Sequence, residues 1–390
     1  MREYAKRLSW VFILALTIGV AGAWSAEDAL PCTNYIMMVA DTGLVVDEYN
    51  ADEPHAPASM VKLMLMLLVT EGLESNKWTL ETPIKISTDA ANVGGTQVEL
   101  RPNETWSLDQ LMTAVAVASA NNAATAVAEG LWGSIDKYLE AANARAKELG
   151  MNSTEYHSVH GLPPDKGQLS DLTTARDMAH LAEACITKAQ IMTWVGVKEF
   201  SLRPEEAPKP NTNKLLFSLE GCDGLKTGYT RAAGFCLTAT AVRNGVRLIT
   251  VVMGCPVLSQ RFEVARVLLD QGFSTVRRER IIAKGDLIEP AVPVGNAKID
   301  SLQLAAGEDV WVIAKETDLK QVKLVAEHPE RLVAPLDAGA VAGTVKVELA
   351  GKPIGESPLL VPSTVEEPGW RWKLTHSVLG RSRQTQQQGG

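Results

Sequence analysis

Residues 56–69 read Ala56-Pro57-Ala58-Ser59-Met60-Val61-Lys62-Leu63-Met64-Leu65-Met66-Leu67-Leu68-Val69. Ser59 stands where a helix would begin, and Lys62 lies one turn further on. The continuation is apolar on every face, which predicts a helix buried inside a core. Residues three apart share a helix face, so the Lys62 amine can reach the Ser59 hydroxyl without any loop being ordered first. That is the placement a nucleophile and its base require. The run from Val61 to Val69 is far shorter than the roughly 20 residues needed to cross a bilayer, so a buried helix is expected rather than a membrane span.

The same S-x-x-K spacing recurs at Ser134-Ile135-Asp136-Lys137. Chance supplies about one such match in a chain of this size. The second copy lies in a segment patterned as an exposed helix and is read as the accidental one. Spacing alone does not decide the matter, and the rest of the chain has to.

With 390 residues, 46% of them hydrophobic and 22% charged, the chain has the composition of a folded globular protein with room for two or three domains. A formal net charge of −8 argues against nucleic-acid binding. Arg2, Lys6 and Arg7 precede an apolar run from Leu8 to Val20 and the small residues Ala21-Gly22-Ala23. This is the layout of a signal peptide over residues 1–23, cleaved after Ala23 or after Ser25, with an uncleaved anchor helix as the alternative. The mature protein is therefore expected in the periplasm or cell envelope. The five cysteines, Cys32, Cys185, Cys222, Cys236 and Cys255, are odd in number and scattered, with no C-x-x-C. They predict neither a disulfide scaffold nor a metal site, and read as small buried hydrophobes.

Tyr35 to Ala40 and Leu44 to Tyr49 predict a hairpin around Asp41-Thr42-Gly43. Residues 69–108, with Asn92-Val93-Gly94-Gly95 in the middle, predict a surface excursion. Leu108 to Gly130 is helical in character but interrupted by Ser119-Ala120-Asn121-Asn122, so a helix is expected to end there and restart at Ala123. Helices are further expected over Ser134 to Gly150 and Thr173 to Ala189, and His157 and His160 between them read as structural. Gly221 to Thr230, Phe235 to Val242 and Arg247 to Met253 predict a three-stranded meander with Lys226-Thr227-Gly228 on its first strand. A lysine, a hydroxyl and a glycine side by side suit a carboxylate docking along a strand. Leu258 to Gln271 predicts a helix capped by Gly272. From Ile281 short alternating segments predict a small all-β domain. Trp370, Arg371, Trp372 and Lys373 hint weakly at an interfacial membrane segment, and the Gln-rich end should be disordered.

Ser59-x-x-Lys62, Ser119-x-Asn121 and Lys226-Thr227-Gly228, in that order, together resemble the penicillin-recognising serine enzymes. The likeness is greatest to the low-molecular-mass D-alanyl-D-alanine carboxypeptidases. It extends through the Asp41-Thr42-Gly43 hairpin, His160-Gly161-Leu162, Ala175-Arg176-Asp177-Met178 and the trailing β domain. The resemblance implies an α/β (α+β) serine transpeptidase-like fold, an antiparallel sheet flanked by helices with a helical lobe, over residues 27–276. An all-β domain over 280–364 and a terminal segment over 365–390 would follow.

It also implies roles. Ser59 would attack the carbonyl between the last two D-alanines of a peptidoglycan stem peptide, and Lys62 would take its proton. Ser119 and Lys226 would relay that proton to the leaving D-alanine, and Asn121 would hold the substrate backbone. Lys226, Thr227 and Arg261 would bind the terminal carboxylate, with Gly228 leaving room beside them. The backbone N–H groups of Ser59 and Tyr229 would form an oxyanion hole. β-Lactams would acylate the same serine, and neither metal nor organic cofactor is implied. Two departures from well-known members stand out. Ala120 and Asn122 replace a Gly and an Asp around the central serine, and the C-terminal anchor is shortened.

Three other functions fit the sequence less well. A secreted β-lactamase would need a water-activating glutamate, and Glu148-Leu149-Gly150-Met151-Asn152 fits that pattern only by letter because it straddles a helix end. An inactive wall-binding scaffold would have no need of Ser59, Lys62 and Lys226. A Ser-His-Asp hydrolase would require a G-x-S-x-G elbow, and the chain has none.

Overall fold

The computed structural model describes residues 29–372. The expected signal peptide and the part of the terminal segment beyond Trp372 lie outside the described residues.

Strands Asn34–Val39 and Val45–Tyr49 form the expected antiparallel hairpin. The first of them also pairs antiparallel with Val246–Cys255, which is followed outward by Gly234–Arg243 and then Cys222–Thr230 at the far edge. Side chains alternate across a strand, and that alternation builds two cores. Ile36, Met38, Ile249, Val251 and Met253 face a helical lobe. Met37, Val39, Leu248 and Val252 face the other way, against helix Gln260–Thr275.

Helix Lys62–Glu74 runs through the middle of the lobe with nine of its thirteen residues buried. Its N-cap, Val61, offers no side-chain hydrogen bond. Burial therefore holds it, at about 1.5–3 kcal/mol for each fully buried Leu or Met. Three neighbouring helices are capped by side chains instead. Ser107 and Gln110 form a capping box, and Thr174 accepts from the Asp177 N–H. Ser134 accepts from the Lys137 N–H at 3.3 Å, so the second S-x-x-K is an N-cap.

Three expectations need correction. Residues 69–108 are more than a surface excursion, because Ile84, Ile86, Val98 and Leu100 are buried and Pro83–Lys85 pairs with Thr105–Ser107. Isolated apolar anchors among turn residues carry no periodic signal. The interrupted helix ends at Val117 and restarts at Asn121, not Ala123. Gly272 caps nothing, since helix Gln260–Thr275 runs through it. A Cβ there would lie 2.6 Å from both Leu248 Cδ1 and Met37 Sδ, so the glycine lets the helix settle onto the sheet.

Strand Val276–Ile282 leads out of that helix and pairs with Val310–Lys315. Beyond it lies a six-stranded sheet with a separate core that includes Val292, Leu304, Val345, Val347 and Leu359. Trp370 is exposed and carries the Arg371 guanidinium over its ring. Among the described residues no helix is long and apolar enough to cross a membrane.

Gly to Ala in a helix interior ordinarily stabilises by up to about 1 kcal/mol. At Gly272 overpacking reverses the sign, and Gly272→Ala should cost about 1–3 kcal/mol. A urea denaturation midpoint at or above that of the unmodified protein would contradict this packing.

Candidate active site

Ser59 sits in the short 3₁₀ turn Ala58–Val61 that feeds directly into helix Lys62–Glu74. Ala58 adopts φ 48°, a left-handed conformation costly for a residue with a Cβ. Two neighbours press on this turn so closely that only glycine fits. A Cβ on Gly161 would lie 2.1 Å from the Ala58 carbonyl oxygen, and one on Gly228 would lie 2.7 Å from that of Pro57. The turn is clamped between the 157–164 loop and strand Cys222–Thr230.

The Lys62 amine is fully buried and 2.8 Å from Ser59 Oγ. It also donates to Asn121 Oδ1 at 2.8 Å and to the His160 carbonyl at 2.9 Å. A neutral amine has two N–H groups and one lone pair. In the neutral form, with the two N–H groups engaged by Asn121 and His160, the lone pair is the group left to face Ser59. Burial first, and then the nearby Lys226 charge, drive the Lys62 pKa well below the usual lysine value, with Asp171 opposing weakly. Ser59 Oγ itself approaches the His160 carbonyl at 3.3 Å.

Asn121 begins the restarted helix, donates to the Gly94 carbonyl at 2.8 Å, and receives its amide position from a backbone bond to Thr96 at 2.8 Å. Asn122 is a latch. It donates to the Val98 carbonyl at 2.7 Å and accepts from the Val98 N–H at 3.3 Å. An aspartate could not donate there. Ser119 lies in the turn between the helices with φ 60°, buried, and its hydroxyl has no hydrogen bond among the described residues.

Lys226 is also buried, and donates to a single acceptor, the Thr227 carbonyl at 3.0 Å. Two N–H groups remain for a ligand. Burial, and then the charge of Arg261, lower its pKa to about 7. Thr227 Oγ1 donates to Thr212 Oγ1 at 2.9 Å, and Thr212 is tied to the Val117 carbonyl at the end of the helix before Ser119. Arg261 does not project into the open. It donates to the Gly228 carbonyl at 3.1 Å and the Cys236 carbonyl at 3.4 Å, packs over Phe262 and Phe235, and leaves its Nε buried and unpartnered. Burial lowers its pKa to about 10. The Tyr229 ring is exposed and stacks on Phe235, with centroids 4.1 Å apart. Because Cys222–Thr230 is an edge strand, half of its backbone groups have no partner strand, and an extended peptide can add there.

Of the two groups that aim the amine, sequence reasoning singled out Asn121, though for holding the substrate backbone, and missed the His160 carbonyl. His160 read as structural, and its ring is: burial lowers its pKa to about 4 and Nδ1 accepts from Leu162 N–H. Its carbonyl does the orienting. Asp171 holds that carbonyl in place by accepting from the His157 and Ser158 N–H groups at 2.7 and 2.9 Å and from the Ser158 hydroxyl at 2.6 Å, while Ser158 Oγ accepts from Gly161 N–H at 2.8 Å. A backbone carbonyl leaves no mark on residue type. Beside it a cleft of about 440 Å³ opens, lined by Gly94, His157, His160, Leu162 and Asp171 among others.

Glu148 ends its helix and pairs with Arg145 at 2.9 Å on the surface, which gives the β-lactamase reading no support. Asn122→Asp should destabilise by about 1–3 kcal/mol, the penalty for facing a buried carbonyl with an acceptor. Equal urea midpoints for the two proteins would show that Val98 has another partner.

A family model described as D-alanyl-D-alanine carboxypeptidase matches residues 23–257, and one described as the C-terminal domain of penicillin-binding protein 5 matches residues 277–367. The D-alanyl-D-alanine carboxypeptidase DacC of Escherichia coli is 32% identical, covering 98% of this chain and 96% of its own. DacF of Bacillus subtilis is 31% identical, covering 90% of each. Penicillin-binding protein 5 from Haemophilus influenzae superimposes with TM-score 0.67 at 29% identity, over 88% of this chain and 100% of its own. Penicillin-binding protein D2 from Listeria monocytogenes, solved in its ampicillin-bound form, gives 0.57 at 30% identity, over 64% and 100%.

Proposed function

The chain belongs to the D-alanyl-D-alanine carboxypeptidase family, and from that premise we propose that it removes the terminal D-alanine of peptidoglycan stem pentapeptides through an acyl-enzyme on Ser59. The observation that carries this reading is the Lys62 amine, 2.8 Å from Ser59 Oγ, with its two remaining bonds directed to Asn121 and the His160 carbonyl.

The substrate lies along the edge strand with its terminal carboxylate at Lys226 and Thr227. As Ser59 Oγ attacks, its proton passes to the Lys62 lone pair. The developing oxyanion is met by the backbone N–H groups of Ser59 and Tyr229. The proton then moves by way of Ser119 and Lys226 to the departing amine. Arg261 acts through Gly228 and through its charge on Lys226, and water completes the cycle by hydrolysing the ester. β-Lactams enter the same site and acylate the same serine, which the ampicillin-bound relative supports. The N-terminal layout places the mature enzyme in the periplasm or cell envelope. Residues 27–276 form the catalytic unit and 280–364 the β unit. Attachment of 365–390 to the outer face of the inner membrane is weak.

Ser59→Ala should abolish both D-alanine release and covalent penicillin labelling, while Ser134→Ala leaves both intact; equal labelling of the two variants would sink the assignment. The pH profile of acylation follows from the two amines. Lys62 is a base only when neutral, so the rate rises as pH passes its lowered pKa. Lys226 must be charged, so the rate falls as pH rises through about 7. In Lys226→Met the like charge is gone, the Lys62 pKa climbs, and the rising limb should move to higher pH. An unmoved limb would mean that another group is the base.

A further inference from the structure

Cys32 and Cys255 lie 223 positions apart in the sequence and meet at the end of the central strand pair. The last paired residues of that ladder are Asn34 and Met253. Cys32 precedes the one by two and Cys255 follows the other by two. Between them Thr33 donates its N–H to the Met253 carbonyl at 2.9 Å and its hydroxyl to Asn34 Oδ1 at 2.6 Å. Gly254, with φ 75°, bulges the strand so that Thr33 comes very close: a Cβ on Gly254 would lie 1.9 Å from Thr33 Oγ1. The bulge also turns Cys255 to the face opposite Met253. Met253 belongs to the lobe core, whereas Cys255 joins the core under helix Gln260–Thr275, against which Cys32 packs.

We propose that Cys32 and Cys255 are a disulfide-forming pair, closed by exchange with an oxidised dithiol or a small-molecule disulfide.

The two cysteines stand opposite each other across the close approach of Thr33 and Gly254, and both lie at the core under helix Gln260–Thr275. The neighbouring Cys32 thiol and burial together push the Cys255 thiol far above its usual pKa. Cys255 is fully buried and Cys32 half-buried, which sets the order of events. The Cys32 thiolate attacks one sulfur of the external disulfide, whose S–S bond breaks and releases one thiolate. Cys255 then loses its proton and attacks the Cys32 sulfur of the mixed disulfide, releasing the second thiolate. Two protein thiols are oxidised, one disulfide is reduced to two thiols, and the two protons leave with them. Cys236 is a bystander, because its thiol donates to the Ala233 carbonyl at 3.4 Å. The bond would fasten the N-terminal end of the central strand to the strand it pairs with, and closing so long a loop restricts the unfolded chain most.

The test uses the purified mature protein incubated folded with oxidised glutathione, then denatured, alkylated and mapped without reduction. Two of the five thiols should escape alkylation, in a peptide linking Cys32 to Cys255. Cys236→Ser should keep that link, and Cys32→Ser should leave all four remaining thiols alkylated. The oxidised protein should melt about 5–10 °C above its reduced form. Five alkylated thiols, a link through Cys236, or a glutathione adduct left unresolved on Cys32 would overturn the pair. Because the oxidant is supplied, the outcome does not depend on export. D-Alanine release by Cys32→Ser, expected unchanged, separates failure of this pair from failure of the carboxypeptidase reading.

Discussion

Two ammonium groups removed from water within one site are the constraint on which the rest of the structure depends. Burying a charged amine without partners costs several kcal/mol, so the group either neutralises or is surrounded by acceptors. Lys62 and Lys226 divide these solutions. Lys62 has the Asn121 amide oxygen and the His160 carbonyl as acceptors, Ser59 Oγ beside it and a strongly lowered pKa, while Lys226 has one acceptor and a pKa near neutrality. In the proposed reaction the first receives a proton and the second meets an anion. The arrangement carries a stability cost with a definite sign. Both folded pKa values lie below the unfolded lysine value of about 10.4, so lowering the pH protonates the unfolded chain first. For Lys226 this loss of stability develops between about 10.4 and about 7 and is complete below it.

That cost explains why so much of the lobe is devoted to positioning acceptors. Asp171, Ser158 and Gly161 exist in the 157–171 segment as a clasp around one carbonyl, that of His160. Asn122 fastens the helix that carries Asn121 to the 93–98 loop, and Gly94 and Thr96 accept from Asn121 in return. Removing any of these does not touch a reacting atom, yet each sets where the Lys62 lone pair points. Preorganised geometry of this kind spares the site from reordering during the reaction.

How much of this was legible follows from how local each signal is. Ser59 and Lys62 are one helical turn apart, so their meeting is written in four consecutive letters. The two parts of the sheet were legible because each is built through a hairpin, at Asp41-Thr42-Gly43 and at Asn244-Gly245 between Gly234–Arg243 and Val246–Cys255, whereas the pairing of Asn34–Val39 with Val246–Cys255 joins segments far apart in the chain. Asn121 and Lys226 reach the site only through tertiary packing, and it was the combined pattern of three motifs that singled them out. The His160 carbonyl was beyond reach because every residue has one. Gly272 was misread for a related reason: a glycine late in an apolar helix can end it or let it lie close to a sheet, and only the position of Met37 and Leu248 decides. Arg261 was expected at the carboxylate, whereas its bonds run to the backbone of Gly228 and Cys236.

The two edges of the main sheet serve different ends. Cys222–Thr230 leaves one edge open beside the nucleophile turn, while Val45–Tyr49 closes the other. It is at that second edge that the β unit makes contact, where Lys315 Nζ donates to the Val46 carbonyl at 3.1 Å. Strand Val276–Ile282 continues the helix beneath the sheet, with Val276 and Ile313 joining the core there. The β unit is therefore anchored to the back and far edge of the catalytic unit, and none of its residues contacts Ser59, Lys62 or Lys226. An open edge accepts an extended peptide only if nothing else in the chain competes for it. Attaching the second unit at the opposite edge keeps its described residues away from the open one.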